Sequence, residues 1–410
     1  MKIRVGVIFG GESVEHEVSI ISAIQAMDKM NLEKYEVIPI YITKDREWYT
    51  GDMLKDIDSY QDLDLIKRYC TNVVLFYRNG SYVLQKKNGL LKNVVKEIDI
   101  AFPVVHGTNV EDGVLQGYLQ TIGIPFVGPN VYGAVAGQDK VIMKDILNGI
   151  GVPMTKYVWF YDVDYKDDRE EVLKKVNTLK YPIILKPATT GSSVGISVCN
   201  NEEELIEGIE DAIQYDTKIV VEEVVKNLKE VNIAVMGSYE HQKVSEIEEV
   251  LSGNKFLTYQ DKYIGGGKGT KGVKGSKVPV KGSKGMASTN RILPAHLDEK
   301  LRKEIEDIAV KSFKALGACG NSRIDFLIDE ETNKVYINEI NSIPGSLAYY
   351  LWEAKDVSFT EVLDEMINIG IKSYKKRMSK THTFETNILQ GFAARGGIKG
   401  MKGAKGAKKI

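Results

Sequence analysis

The sequence predicts an α/β unit built on a parallel sheet, followed by α+β units whose strands run mostly antiparallel. Three observations carry that prediction. Apolar runs at 3–9, 37–42 and 98–105 are interleaved with a helical pattern, and polar residues follow the strand ends. Later runs at 218–221, 231–236, 243–250, 324–328 and 335–340 mostly lack crossover helices between them. The length of 410 residues, with 43% hydrophobic and 27% charged residues, allows two or three cores.

The first run turns at Gly10-Gly11 into a helix expected from about Ser13, with Val14, Val18, Ile21 and Ile24 on its apolar face. That turn lacks the G-x-G-x-x-G spacing of a dinucleotide site. The third run ends at His106-Gly107. A helix is expected over 112–123, then a short strand and a boundary at 124–129. A second unit follows, with helices at 138–149 and after the capping pattern Asn201-Glu-Glu-Glu204, and strands at 157–160, 183–186 and 195–198. The third unit opens at 218, and its helix over 298–316 turns Leu301, Ile305, Ile308 and Phe313 to one side. The divisions are therefore 1–129, 130–217, 218–380 and a low-complexity basic tail, 381–410. Six lysines and eight glycines fill 265–285 without an acid, which reads as a mobile loop, and 391–410 reads as disordered.

Charge and cysteine content exclude several functions. A formal net charge of −1 gives no global attraction to nucleic acid or membrane, and no apolar run reaches membrane-spanning length. Cys70, Cys199 and Cys319 are too far apart for a zinc site or disulfide scaffold and fit a reducing compartment, so a cytoplasmic location is expected.

Two segments about 140 residues apart carry the chemistry. In the first, an apolar run delivers Lys186 to a loop, Gly191-Ser192-Ser193-Val194-Gly195, whose N–H groups suit phosphates. In the second, Asp325 and Glu339 lie on separate runs, with Asn341 two residues beyond Glu339. Two acids and an amide oxygen suit Mg²⁺. Together they read as an ATP-using site. Read alone, each residue has a plainer alternative: Lys140 on a solvated helix face, Glu15 as a helix cap, His106 as a packed histidine.

These residues resemble the D-alanine–D-alanine ligase family of ATP-grasp enzymes, which includes D-Ala–D-Ser and D-Ala–D-Lac variants. The resemblance runs over roughly residues 1–375. It rests on Gly10-Gly-Glu-Ser-Val-Glu15-His-Glu-Val-Ser19, His106-Gly-Thr-Asn-Val-Glu-Asp-Gly113, Asp139-Lys140, Lys186-Pro…Gly191-Ser-Ser-Val-Gly195, Asp261-Lys262-Tyr263, Ser322-Arg323-Ile-Asp325 and Asn338-Glu339-Ile-Asn341…Pro344-Gly345. It implies an ATP-grasp fold preceded by a parallel-sheet domain, and ligation of two D-alanines through an acyl phosphate for peptidoglycan precursors.

The resemblance also implies roles for particular residues. Glu15 would hold the ammonium of the first D-alanine, and Lys140, Lys186 and the Ser192–Ser193–Val194 loop the ATP phosphates. Glu222 and Glu223 would lie at the adenine hinge and Glu230 near the ribose. Asp325, Glu339 and Asn341 would ligate two Mg²⁺ ions, with Mn²⁺ as a substitute. Arg323 would stabilise the tetrahedral species, with His106, Ser192, Lys262 and Tyr263 in the catalytic set. Val18, Gly345, Tyr350 and Leu351 would line the substrate pocket. A homodimer is implied as well. The chain departs from the family pattern at Val110, where glycine is common, at Tyr350, where serine is expected beside the acceptor, and in its long lysine-glycine stretch. A D-serine acceptor, another ATP-grasp carboxylate–amine ligation, or a nonenzymatic nucleotide-binding regulator are the alternatives.

Overall fold

The computed structural model describes residues 2–89, 93–251 and 291–384. The lysine-glycine stretch at 265–285, Lys262, Tyr263 and the tail from 391 lie outside them. Contacts divide the chain into one compact unit, Met1–Lys372, and a second from Ser373 onward. In the second, the described residues continue the helix Phe359–Met378, and Arg377 lies over the Tyr374 ring at 5.5 Å.

Seven strands form the first sheet: β1 (Ile3–Gly10), β2 (Tyr35–Ile42), β3 (Trp48–Thr50), β4 (Thr71–Arg78), β5 (Ser81–Lys86), β6 (Val94–Ile98) and β7 (Ile100–Pro103), in the order β6-β5-β4-β3-β2-β1-β7. β1 is parallel to β2 and β7, as the apolar runs predict. β2 to β6 pair antiparallel, so the parallel reading holds for the three buried strands and not for their extension. The run at 98–105 is not one strand. Asp99 breaks it by accepting from the Arg4 backbone N–H (2.8 Å) and guanidinium (2.6 Å). The strand expected at 124–129 shrinks to one parallel bridge, Ala101 to Phe126.

The first helix runs His16–Lys29, later than expected. Val14 precedes it and is 48% exposed, while Val18, Ile20, Ala23 and Met27 are buried. The helical period was legible, but its phase was misjudged because small residues, Ala23 and Ala26, take core positions.

The second sheet holds β8 (Tyr157–Tyr161), β9 (Ile183–Pro187), β10 (Ser197–Cys199) and β11 (Lys218–Glu223), ordered β10-β9-β11-β8 and antiparallel throughout. The division expected between 217 and 218 cuts this sheet, because β11 is its central partner for both β8 and β9. The helix Glu202–Ala212 closes its core with Leu205 and Ile209.

The third sheet holds β12 (Leu228–Gly237), β13 (Gln242–Val250), β14 (Arg291–Ile292), β15 (Gly320–Asp329) and β16 (Lys334–Asn341), all antiparallel, ordered β14-β13-β12-β15-β16. The helix Glu299–Ala315 buries Leu301, Ile305 and Phe313 against it. The helix expected over 138–149 is found at Lys140–Gly149, and a further helix, Val131–Gln138, precedes it. Asp139 separates them and caps the second by accepting from the N–H groups of Val141 and Ile142. Met143 and Leu147 of that second helix join the third core, not the second. Leu347, Leu351, Leu363 and Ile367 return to the first core.

Asn201 accepts from the Glu204 N–H at 3.0 Å, and Glu204 accepts in turn from the Asn200 N–H at 2.8 Å. Asn201→Ala should cost about 1 kcal/mol in denaturant unfolding. Unchanged stability would show that water or a neighbour replaces the cap.

Candidate active site

Two cavities meet where the three sheets converge. The larger has a volume of about 180 Å³ and has an apolar slot made by Ile184, Val224, Leu228 and Phe326. The smaller has a volume of about 60 Å³ and is lined by polar groups, among them Glu15, His106, Glu111 and Asn341. Lys140, Gly191, Ser192, Arg323 and Glu339 line both. A reaction between ligands in the two cavities would take place at that shared wall.

On the slot side, β9 ends by placing Lys186 Nζ 3.0 Å from Glu222 Oε1 on β11 and 3.0 Å from Asn338 Oδ1 on β16. Behind Glu222, fully buried Lys144 donates to its other oxygen at 2.9 Å, and Thr155 Oγ1 donates there at 2.7 Å. Burial opposes a charge on Glu222, but the Lys144 and Lys186 ammonium groups outweigh it and hold the carboxyl far below its usual range. Lys140 Nζ donates to the Thr190 carbonyl at 2.9 Å, and burial pushes that ammonium down.

The 190s loop carries two non-glycine residues in the left-handed region, Ser192 (φ 54°) and Ser193 (φ 59°). Such strain clusters at working sites. Ser192 Oγ donates to Glu15, which tethers the loop to the start of the first helix. Two glycines make that approach possible. A Cβ on Gly191 would stand 2.6 Å from Glu15 Oε2, and one on Gly107 would stand 2.8 Å from the same atom.

On the third sheet, Asp325 pairs across the ladder with Glu339, and Arg323 with Asn341. The register slips between Asp325 and Phe326, leaving Asn338 as an extra residue opposite no partner. This bulge lets the consecutive residues Asn338 and Glu339 both face the larger cavity, which a regular strand would forbid. Arg323 grips Asp325 with two bonds of 2.7 Å, and Asn341 Nδ2 donates to Asp325 at 3.2 Å. The Asn341 amide oxygen then remains as an acceptor beside two carboxylates. Among the described residues, no three His, Cys, Asp or Glu side chains stand together as a metal cluster. The set is two acids and an amide, hard oxygen donors of the kind Mg²⁺ takes.

His106 is braced on both sides. Its Nδ1 is 2.8 Å from the Ile343 carbonyl and Nε2 is 2.9 Å from Ser22 Oγ, which also accepts from the Ser346 N–H at 2.9 Å. Burial lowers its pKa to about 4, so the ring is neutral, with Nδ1 as donor and Nε2 accepting from Ser22. This brace fixes an unusual turn, Ser346-Leu347-Ala348, in which all three residues have φ between 47° and 52°. Glu111 pins the same segment by accepting from the Ile343 N–H (2.8 Å) and Ser342 Oγ (3.0 Å). Burial, then nearby Glu15, push its carboxyl up to about 8.

Most residues expected from the sequence gather here. Glu15, His106, Lys140, Lys186, Ser192, Ser193, Glu222, Glu223, Glu230, Arg323, Asp325, Glu339, Asn341 and Gly345 each line at least one cavity. Val194 sits in the loop without lining either. Val18 and Leu351 are buried, and Leu351 belongs to the first core. Tyr350 lines neither cavity itself but packs behind Glu248 and Arg291, which line the larger one. Its hydroxyl reaches Glu248 Oε1 at 3.2 Å, and its ring lies 3.9 Å beneath the Arg291 guanidinium. Lys144, Glu111, Glu248 and Arg291 were missed as site residues. The four-residue spacing from Lys140 to Lys144 was a usable signal. The Glu248–Arg291 pair, at 2.6 Å, joins strands 43 residues apart in sequence and left none.

Residues 4–129 match the family described as D-ala D-ala ligase N-terminus, and residues 146–368 match D-ala D-ala ligase C-terminus. The chain is 38% identical over 391 residues to the D-alanine--D-alanine ligase of Thermosipho melanesiensis, covering 95% of this chain and 98% of the relative. It resembles the solved VanG D-Ala:D-Ser ligase of Enterococcus faecalis at 28% identity and TM-score 0.72, over 90% of this chain and 100% of that one. The D-alanine-D-alanine ligase of Coxiella burnetii, at 24% identity and TM-score 0.74 over 96% and 99%, shares the fold. That fold is ATP-grasp, and the chain belongs to the D-alanine–D-alanine ligase family.

Proposed function

We propose that this protein joins two D-alanines into D-alanyl-D-alanine at the expense of ATP, supplying a peptidoglycan precursor. The observation that carries this reading is the shared wall of Lys140, Ser192, Arg323 and Glu339 between an apolar slot and a small polar chamber. The slot suits adenine, and Lys186, Lys140 and the 190s loop stand where a polyphosphate leaving that slot would pass. The chamber suits amino acids. Glu15 there offers a carboxylate to an ammonium, and Arg323 offers a guanidinium to a carboxylate or to the developing oxyanion.

A carboxylate oxygen of the first D-alanine attacks the γ-phosphorus of ATP, and ADP departs, leaving an acyl phosphate. The amine of the second D-alanine attacks the acyl carbon and loses a proton, and phosphate leaves with the carboxylate oxygen. The chain's part is to hold the reactants in line and to neutralise charge at the crossing point. Asp325, Glu339 and Asn341 would hold two Mg²⁺ ions, or Mn²⁺ in their place, which when bound supply charge neutralisation for the transferring phosphoryl group. His106, with both nitrogens engaged, acts as a brace and not as a base.

A D-serine acceptor would need a polar group at the acceptor end. Tyr350, the residue that prompted that alternative, gives its hydroxyl to Glu248, which favours D-alanine. We place the enzyme in the cytoplasm as a homodimer that needs neither nucleic acid nor membrane. No described helix is long and apolar enough to cross a membrane.

Competition among D-alanine, D-serine and D-lactate, with products identified by mass spectrometry, tests the reading. D-alanyl-D-alanine should predominate, and a predominant D-Ala–D-Lac product would overturn it. Glu339→Gln should lower turnover at least about 100-fold and raise the Mg²⁺ concentration needed, because electrostatic stabilisation dominates phosphoryl transfer. Near-normal turnover at low Mg²⁺ would remove Glu339 from the metal set. His106→Gln should lower turnover about tenfold or more through misplacement of the 343–346 segment. The acidic limb of its pH–rate profile should stay where it is, since the ring is already neutral above pH of about 4. Movement of that limb would mean that His106 titrates during turnover.

A further inference from the structure

Lys144 contacts neither cavity, yet it is fully buried and its charge is spent on one atom pair. Its Nζ lies 2.9 Å from Glu222 Oε2, directly behind the carboxylate whose other oxygen faces Lys186 at 3.0 Å. Thr155 Oγ1 completes the cage, and the Tyr157 ring lies 5.4 Å from the Lys144 ammonium. The order of charges from the cavity inward is thus positive, negative, positive: Lys186, Glu222, Lys144.

This order has an electrostatic consequence. Lys186 and Glu222 alone would be a neutral pair, and a neutral pair attracts a polyphosphate weakly. Adding Lys144 leaves the trio with a net charge of +1, and only Lys186 and Glu222 of the three line the cavity. Glu222 also needs Lys144 to stay ionised where it is buried, since a buried carboxylate with one partner shared with a ligand would take up a proton or pull Lys186 away from that ligand.

We propose that Lys144 is a positioning residue for the nucleotide site: it satisfies Glu222 from behind, so that Lys186, which stands 3.0 Å from Glu222 here, can be shared with the ATP phosphates when they bind. Asn338, which accepts from Lys186 at 3.0 Å, is the neutral partner that keeps the ammonium aimed along the cavity wall. The inference rests on the nucleotide reading given above. It adds that the affinity of the site for phosphate is set from a residue the ligand never touches.

The test compares Lys144→Met with the parent enzyme in calorimetric binding of ATP and of adenosine. Loss of one buried charge near a polyanion should weaken ATP binding at least about tenfold, while adenosine, which carries no phosphate, binds within about twofold of the parent. A merely structural role would weaken both ligands together, and a residue without influence would weaken neither. Either result overturns the proposal. If Lys144→Met does not fold, the pair Lys144→Met with Glu222→Gln removes both buried charges and leaves Lys186 unopposed. That double variant should recover most of the ATP affinity relative to adenosine, and failure to recover it would also overturn the proposal. D-alanine-dependent ADP release by the parent is measured in parallel. Its absence would count against the ligase function, not against the role of Lys144.

Discussion

The site depends on one constraint: ionisable side chains are buried together where three sheets meet, and each must be compensated by a buried partner. Glu222 shows this most clearly. It stands on β11, and its partners come from the helix Lys140–Gly149 and from β9. Lys186 then reaches across to Asn338 on β16. A buried charge without a partner costs several kcal/mol, so these pairs fix how the second and third sheets face each other. The same logic works on the other side of the shared wall, where Glu111 and His106 hold the segment 342–346 against the end of β7.

From this constraint the chemistry follows. A polyphosphate and a carboxylate repel each other in water, and a site that joins them must supply positive charge without supplying a competing nucleophile. Lysines engaged by carbonyl, carboxylate or amide oxygens, and a guanidinium bound in two places to Asp325, meet that requirement. Left-handed residues at Ser192, Ser193 and Ser346 to Ala348 mark the two loops that such a site must hold close to its ligands.

Much of this was legible in the sequence, for identifiable reasons. Lys186 stood out because an apolar strand ended in a charge before a glycine-serine loop. Asp325 and Glu339 stood out because acids interrupted two strong strand patterns. The order of the strands was harder to read. β11 looks like the opening of the third sheet, yet it pairs inside the second, since nothing in a strand's own residues names its neighbours. The phase of the first helix was lost because Ala23 and Ala26 fill core positions that pattern reading assigns to larger side chains. Glu248 and Arg291 lie on strands far apart in sequence, and their pairing belongs to the tertiary structure alone. Tyr350 was suggested for the acceptor pocket by its place in the motif; the fold puts it behind the cavity wall, against Glu248 and Arg291.

The central claim is that the phosphoryl group passes from ATP to a substrate carboxylate at the wall shared by the two cavities. Turnover with D-alanine labelled with ¹⁸O in its carboxylate tests it most directly. The account predicts that one labelled oxygen appears in inorganic phosphate for each D-alanyl-D-alanine formed. Dipeptide accompanied by unlabelled phosphate would contradict it.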